Sequence, residues 1–302
     1  MQPLITVLTP TYNRAHTLGK LYESLLTQTK KNFVWFVSDD GSSDETNTII
    51  KRYQEDRNIN IVYLYGENGG KHRALNRAIA QISTELTFIV DSDDYLPEDA
   101  MEIIEGYHER FKQADNLCGY SFLKVYPDGS VNDKLFPVDE RIESYLDSRI
   151  NGRIGGDKAE VFFTSCLSEF PFSEYEGERF IGEATVWIRM AEKYDMLHIN
   201  KPVYICEYIE GGLTKSGKRV KAQSPRGGME YGRLLMTSKC HIDIRFFGCI
   251  YYVTMSCFAG LRYKEFIKQS PSPVMTSALY PVGRLIYYYY QMKFRRPLGE
   301  QE

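Results

Sequence analysis

The chain has 302 residues, of which 43% are hydrophobic and 25% charged, an ordinary globular composition long enough for one α/β domain or one domain plus an extension. Its net charge of −3 hides an asymmetry: residues 1–212 carry 22 Lys and Arg against 35 Asp and Glu, whereas residues 213–302 carry 15 against 5 and are rich in Tyr and Phe. The longest uncharged stretch, Phe246–Leu261, is shorter than the roughly 20 apolar residues of a spanning helix, and the six cysteines form no CxxC pair; both observations argue against a membrane-spanning or disulfide-stapled protein and for a reduced, cytosolic one.

In chain order, short apolar runs alternate with helical patterns. Met1 leads almost directly into Leu4–Leu8, followed by a helix over Thr17–Leu26. Then come Phe33–Val37, a helix over Asp44–Tyr53, Ile61–Leu64, a helix over His72–Ile82, and Leu86–Val90. Strands about 25–30 residues apart with one helix between them are βαβ units, which predicts a parallel sheet. Gly41 suits a tight turn, Ser42 or Ser43 can cap the helix that follows, and Pro97 suits the first position of another helix. Beyond residue 112 the pattern predicts a loop-rich stretch to about 180, a helix over Ala184–Tyr194, a strand near Val203–Tyr208, the loop EGGLTKSGK, and helices with aromatic faces from about 228.

In a parallel sheet, ligands bind beyond the carboxyl ends of the strands. The stretches there are TPTYNR, SDDGSSDET, GENGGK and DSDD, and they should converge on one crevice. Asp91, Asp93 and Asp94 raise one another's pKa unless positive charge sits among them. A calcium loop is excluded, because the positions needing an oxygen ligand and Gly hold Tyr95 and Leu96. GENGGK is neither a dinucleotide fingerprint after the first strand nor a P-loop ending in GK[ST]. The five histidines show no zinc spacing, and His72 is expected on a helix surface.

These four stretches, in this order, resemble the inverting glycosyltransferases of family 2, over residues 1–115 and again over 160–214. The resemblance implies a GT-A fold, Rossmann-like, with a mostly parallel sheet flanked by helices and a helical, aromatic-rich C-terminal extension. It divides the chain into a catalytic domain at 1–214, with a nucleotide-sugar-binding half at 1–115 and an acceptor half at 116–214, and a basic segment at 215–302. Asp91 and Asp93 match the DxD acids, which implies Mn²⁺ or Mg²⁺ held with the diphosphate of a UDP-sugar; Asp93 is the direct metal ligand, and Asp91 and Ser92 also border the donor. Pro10 and Tyr12 match the base pocket, and Asp40 matches the acid that accepts the uracil imide N–H, with Asp39 supporting the turn. Asn68 and Gly69 match the close approach to the donor, and Lys71 matches a phosphate contact.

For the base that takes the acceptor proton, FIGEATVWIRMAEKY aligns with the family's acidic pair before a helix. Glu183 takes the position of the base, where Asp is usual, and Gly182 replaces the preceding acid; Glu178 is the reserve. Gln223-Ser-Pro-Arg226 is followed by Gly227, so the QxxRW of processive synthases is absent. The resemblance thus implies transfer of a single hexose or N-acetylhexosamine to a glycan acceptor, lipid- or protein-linked, in bacterial surface polysaccharide synthesis. A non-catalytic nucleotide-sugar-binding scaffold and a nucleotidyltransferase are the alternatives. No nucleic-acid partner is expected. Residues 240–302 suit either peripheral contact with the inner face of the membrane or packing against the core or a second subunit.

Overall fold

The computed structural model describes residues 2–207 and 219–294. Among them eight strands form one sheet in the order β3-β2-β1-β4-β7-β5-β8-β6. The first four are β1 (Ile5–Thr11), β2 (Phe33–Asp39), β3 (Ile61–Tyr65) and β4 (Leu86–Ile89). They are joined by α1 (Leu18–Leu26), α2 (Thr46–Asp56) and α3 (Lys71–Ile79), and every pairing among them is parallel. All seven positions of β1 and of β2 are buried, so near-continuous apolar runs serve there in place of an alternating pattern. Leu18, Leu21, Tyr22 and Leu25 form the buried stripe of α1, with Tyr22 stacked on Tyr53 at 3.8 Å between ring centroids. The indole N–H of the buried Trp35 donates to Thr9 Oγ1 at 2.9 Å, so this large ring leaves no polar atom orphaned.

The sheet is mixed rather than uniformly parallel. α4 (Ala100–Phe111) leads to β5 (Leu117–Val125), β6 (Arg141–Glu143) and β7 (Lys158–Phe163), with β8 (Asp195–Ile205) closing the series. β7 lies antiparallel between β4 and β5, β8 runs parallel to β5, and β6 pairs antiparallel with β8. The stretch expected to be loop-rich therefore supplies much of the second half of the sheet, besides a π-helical turn at Leu146–Asn151 and α5 (Thr164–Glu169). Gly119 interrupts the apolar pattern of β5 for a structural reason: at φ +157° its Cβ would lie 2.2 Å from the carbonyl oxygen of Val161 on β7. β8 begins eight residues before the expected Val203, because polar residues such as His198 and Asn200 mask a strand whose pairing with β5 is irregular.

Two helix starts also differ from expectation. Ser42 does not cap α2; its Oγ accepts the Asn13 N–H at 2.8 Å, and Asp44 takes the Thr46 N–H at 3.1 Å and its hydroxyl at 2.6 Å. Pro97 lies in the turn before α4, where its carbonyl accepts the Ala100 N–H at 3.1 Å.

The chain divides into two compact units, 1–172 with 189–210, and 173–188 with 211–302. The helix α6 is Ala184–Met190. The second unit holds α7 (Pro225–Leu235), α8 (Ile242–Phe258), α9 (Tyr263–Gln269) and α10 (Pro273–Phe294) around Met229, Cys249, Tyr252, Val253 and Phe266. α7 and α8 meet backbone to backbone: a Cβ on Gly232 would lie 2.8 Å from the Gly248 carbonyl oxygen. Among the described residues no helix is long and apolar enough to cross a membrane. All six cysteines are free.

Candidate functional site

The strand order reverses between β1 and β4, and the crevice of an open α/β sheet lies at such a switch point. Thr11 pairs with Asp39 and Leu8 with Ile89, so β1, β2 and β4 end on one edge. Pro10 is buried one residue before the end of β1, and Tyr12, just past that end, is exposed.

Asp39 and Asp40 hold the loops of this edge together. Asp39 accepts the Ser42 N–H at 2.7 Å and the Tyr63 hydroxyl at 2.6 Å; burial first, then that carboxylate, push the phenol's pKa up. The buried Asp40 accepts the N–H groups of Gly69 at 3.1 Å and Gly70 at 2.7 Å, and the Arg77 guanidinium at 3.1 Å. Asn68 donates its amide to the Asp40 carbonyl at 2.9 Å. Gly41, at φ +83°, is required here, because its Cβ would lie 2.7 Å from the Asn68 nitrogen. Asn68, Gly69 and Asp40 are thus brought together as one clamp. Three of the roughly four acceptor positions on the Asp40 carboxylate are occupied within the protein.

The acid cluster after β4 has its positive partners. The ammonium of Lys71, the first residue of α3, lies 2.5 Å from Asp91 Oδ1. Lys124, near the end of β5, is the second cation. Burial pushes the Asp91 carboxyl up, but Lys71 and Lys124 outweigh it and hold the group below its ordinary value. Burial pulls the Lys124 ammonium down, and Asp91 and Asp94 more than restore it. Lys124 also sits 3.9 Å from the ring centroid of Tyr204 on β8.

Tyr204 connects two acids of the cluster. Its hydroxyl donates to Asp94 Oδ2 at 2.7 Å and accepts the Asp91 N–H at 3.0 Å. Asp94 Oδ1 accepts the Glu207 N–H at 3.2 Å, and Tyr95 and Ile205 exchange backbone bonds of 3.1 and 2.8 Å. Burial, then the Asp91 charge, push the Asp94 carboxyl up to about 6. Ser92 is buried and Asp93 half-buried. Among the described residues no group of three or more His, Cys, Asp or Glu side chains is arranged to hold a metal ion. Asp91 and Asp93 offer carboxylate oxygens, the donor type that hard cations take, and Asp91 Oδ1 is engaged by the Lys71 ammonium.

Lys124, Tyr204 and Arg77 escaped the sequence reading. A lysine inside the apolar LCGYSFLKV was the available signal for the first; Tyr204 and Arg77 carried none. His72 is buried on the inner side of α3, not on the helix surface, because Ala74, Leu75 and Ala78 share that packing.

In the second unit, the half-buried Glu183 stands immediately before α6, its carbonyl accepting the Val186 and Trp187 N–H groups at 2.9 and 3.2 Å. A Cβ on Gly182 would meet nothing within 4 Å, so space does not dictate the missing acid. Glu178 is committed elsewhere. Its carboxylate is buried on the first turn of α7, accepting the Arg226 N–H at 2.7 Å and the Gly227 N–H at 2.9 Å.

A Rossmann-like parallel half, an inserted antiparallel strand and an acidic loop at the switch point define the GT-A class of nucleotide-sugar-binding folds. Residues 6–125 match the model of glycosyl transferase family 2, so that this segment of the chain is similar to that family. It is 31% identical to glycosyltransferase GlyA of Streptococcus pneumoniae over 45% of its residues, a match that spans only 22% of GlyA. It is 26% identical to the GalNAc(5)-diNAcBac-PP-undecaprenol beta-1,3-glucosyltransferase of Campylobacter jejuni, over 72% of this chain and 71% of that protein. Among solved structures, TarS 1–349 of Staphylococcus aureus in complex with UDP-GlcNAc superposes with a TM-score of 0.59 at 17% identity, covering 97% of this chain and 92% of that one. Mannosyltransferase PcManGT from Pyrobaculum calidifontis, in complex with GDP-Man and Mn²⁺, gives 0.58 at 17% identity, covering 97% and 83%.

Proposed function

We propose that the protein transfers a single hexose or N-acetylhexosamine from a UDP-sugar to a glycan acceptor, with inversion at the anomeric carbon. The observation that carries this reading is the DSDD loop, seated at the switch point and braced by Lys71, Lys124 and Tyr204. The donor diphosphate would lie against this loop, with Lys71 exchanging its Asp91 contact for a phosphate oxygen. A Mn²⁺ or Mg²⁺ held by Asp93 and Asp91 would neutralise charge on the leaving diphosphate. The remaining acceptor position on Asp40 would take the uracil imide N–H, with Pro10 and Tyr12 bordering the base and Asn68, Gly69 and Ser92 the rest of the donor.

Glu183 is the proposed base. As the acceptor oxygen bonds to the anomeric carbon, the hydroxyl proton passes to Glu183, and the carbon–oxygen bond to UDP breaks with its electron pair leaving on the diphosphate. The name of the Campylobacter jejuni relative specifies an undecaprenol-borne acceptor, and a lipid-linked glycan is the acceptor class proposed here, met by peripheral contact at the inner face of the membrane. Gly182 favours one second reading, a nucleotide-sugar-binding scaffold without transfer activity.

The test is UDP release from a panel of UDP-sugars, with and without EDTA, followed by NMR of the product's anomeric coupling. Metal-dependent release with inverted configuration supports the reading. UDP-sugar binding without any release favours the scaffold, and pyrophosphate release from UTP in the presence of a sugar 1-phosphate favours a nucleotidyltransferase.

A further inference from the structure

The helix α10 is apolar on two opposite faces. Its inner face is buried through Thr276 and Gly283, and the Gly283 carbonyl accepts the Thr254 hydroxyl of α8 at 3.1 Å. At 3.6 residues per turn, Val274, Ala278, Val282, Leu285, Tyr289 and Met292 share an arc of about 80° on the other side. That second stripe is open: Val274 is 84% exposed, Leu285 70%, Met292 64%, Tyr289 55% and Val282 43%. An apolar stripe along a helix is ordinarily covered by a neighbouring surface.

Charge identifies what covers it. The 22 residues of α10 include no Asp or Glu, and the stripe is flanked by Arg284 on one side and Lys293 on the other. Two copies meeting along it would set these cations against each other with no acid on the helix to pair them. The surrounding segment, 213–302, is itself basic, with 15 Lys and Arg against 5 Asp and Glu. Arg284 donates to the Tyr288 hydroxyl at 3.0 Å, and the stripe includes Tyr289, a residue type that settles at the boundary between head groups and acyl chains. Since α10 cannot span a bilayer, it would lie in the plane of one.

We propose that this outer stripe of α10 is a docking face for an anionic lipid surface, with Val274, Leu285 and Met292 entering the acyl boundary and Arg284 and Lys293 contacting head groups. This deepens the proposed function by bringing the protein to a lipid-borne acceptor, but the contact does not depend on the donor chemistry.

The experiment uses the full chain and co-sedimentation with vesicles of phosphatidylglycerol and phosphatidylcholine, or of phosphatidylcholine alone. Binding is expected only with the anionic vesicles and should weaken as salt rises. Leu285→Glu with Met292→Glu should reduce partitioning by roughly tenfold or more, since charged side chains replace the inserted ones. Both positions are exposed, so circular dichroism and thermal melting of this variant should match the parent. Arg284→Gln with Lys293→Gln should flatten the salt dependence. UDP release from a UDP-sugar without vesicles reports separately on the proposed activity. The proposal is overturned if the parent ignores anionic vesicles at low salt, or if the double Glu variant binds them equally well. A dimer in light scattering that Leu285→Glu dissociates would also overturn it, naming a second copy as the occupant.

Discussion

Asp94→Asn should stabilise the protein at neutral pH and destabilise it in mild acid. Asp94 is 8% exposed, and burial together with the neighbouring Asp91 raises its carboxyl from an ordinary 3.8 to about 6. The folded chain therefore binds this proton more tightly than the unfolded chain, and stability falls as pH rises from about 4 to 6. At pH 7 the ionised carboxylate costs about 3 kcal/mol relative to an unperturbed one. Asn removes that charge. Its amide oxygen can still accept the Tyr204 hydroxyl, but its NH₂ group then faces the Glu207 N–H, which loses an acceptor at a cost of about 1 kcal/mol. The balance is a gain of about 1–2 kcal/mol at pH 7 and a loss of about 1 kcal/mol at pH 4. Urea denaturation of both proteins at pH 4, 5, 6 and 7 in metal-free buffer measures it. A difference that stays constant across those pH values would refute the electrostatic reasoning.

Other outcomes follow from the same geometry. Glu183→Gln should lower transfer by roughly 10²–10⁴-fold while calorimetry shows unchanged UDP affinity, since the base meets the acceptor and not the nucleotide. Asp93→Ala should abolish metal-dependent UDP release yet melt at or slightly above the parent temperature, because it removes charge and little packing; full activity in EDTA would count against the metal role. Burial holds the His198 imidazole down at about 4, so its share of the stability, roughly 3 kcal/mol, is present above pH 6.5 and is lost as pH falls through 4. His198→Phe should flatten the acid limb of a pH–stability profile measured in the Asp94→Asn background. Glu178→Gln leaves only one acceptor for two N–H groups of α7, so thermal melting should show a loss of roughly 1–2 kcal/mol.

What was legible in the chain was local. β1 to β4 and the helices between them announce themselves because apolar runs and 3.6-residue stripes depend only on neighbours along the sequence. The four strand-end loops were legible for the same reason: parallel βαβ units put such loops on one edge whatever the later chain does. The positive partners of the acid cluster were legible only by half. Lys71 follows the GENGG loop, whereas Lys124 and Tyr204 reach Asp91 and Asp94 solely because β5 and β8 pair in the second half of the sheet. That pairing is non-local, and the strands that make it are interrupted by Gly119 and by polar residues near His198. Glu178 and Glu183 look alike as acids five positions apart, and folding alone separated them by burying one on a helix terminus. Local periodicity sets which segments become strands and helices; which side chains share a low-dielectric site, and so which pKa values move, is decided only when distant segments close on one another.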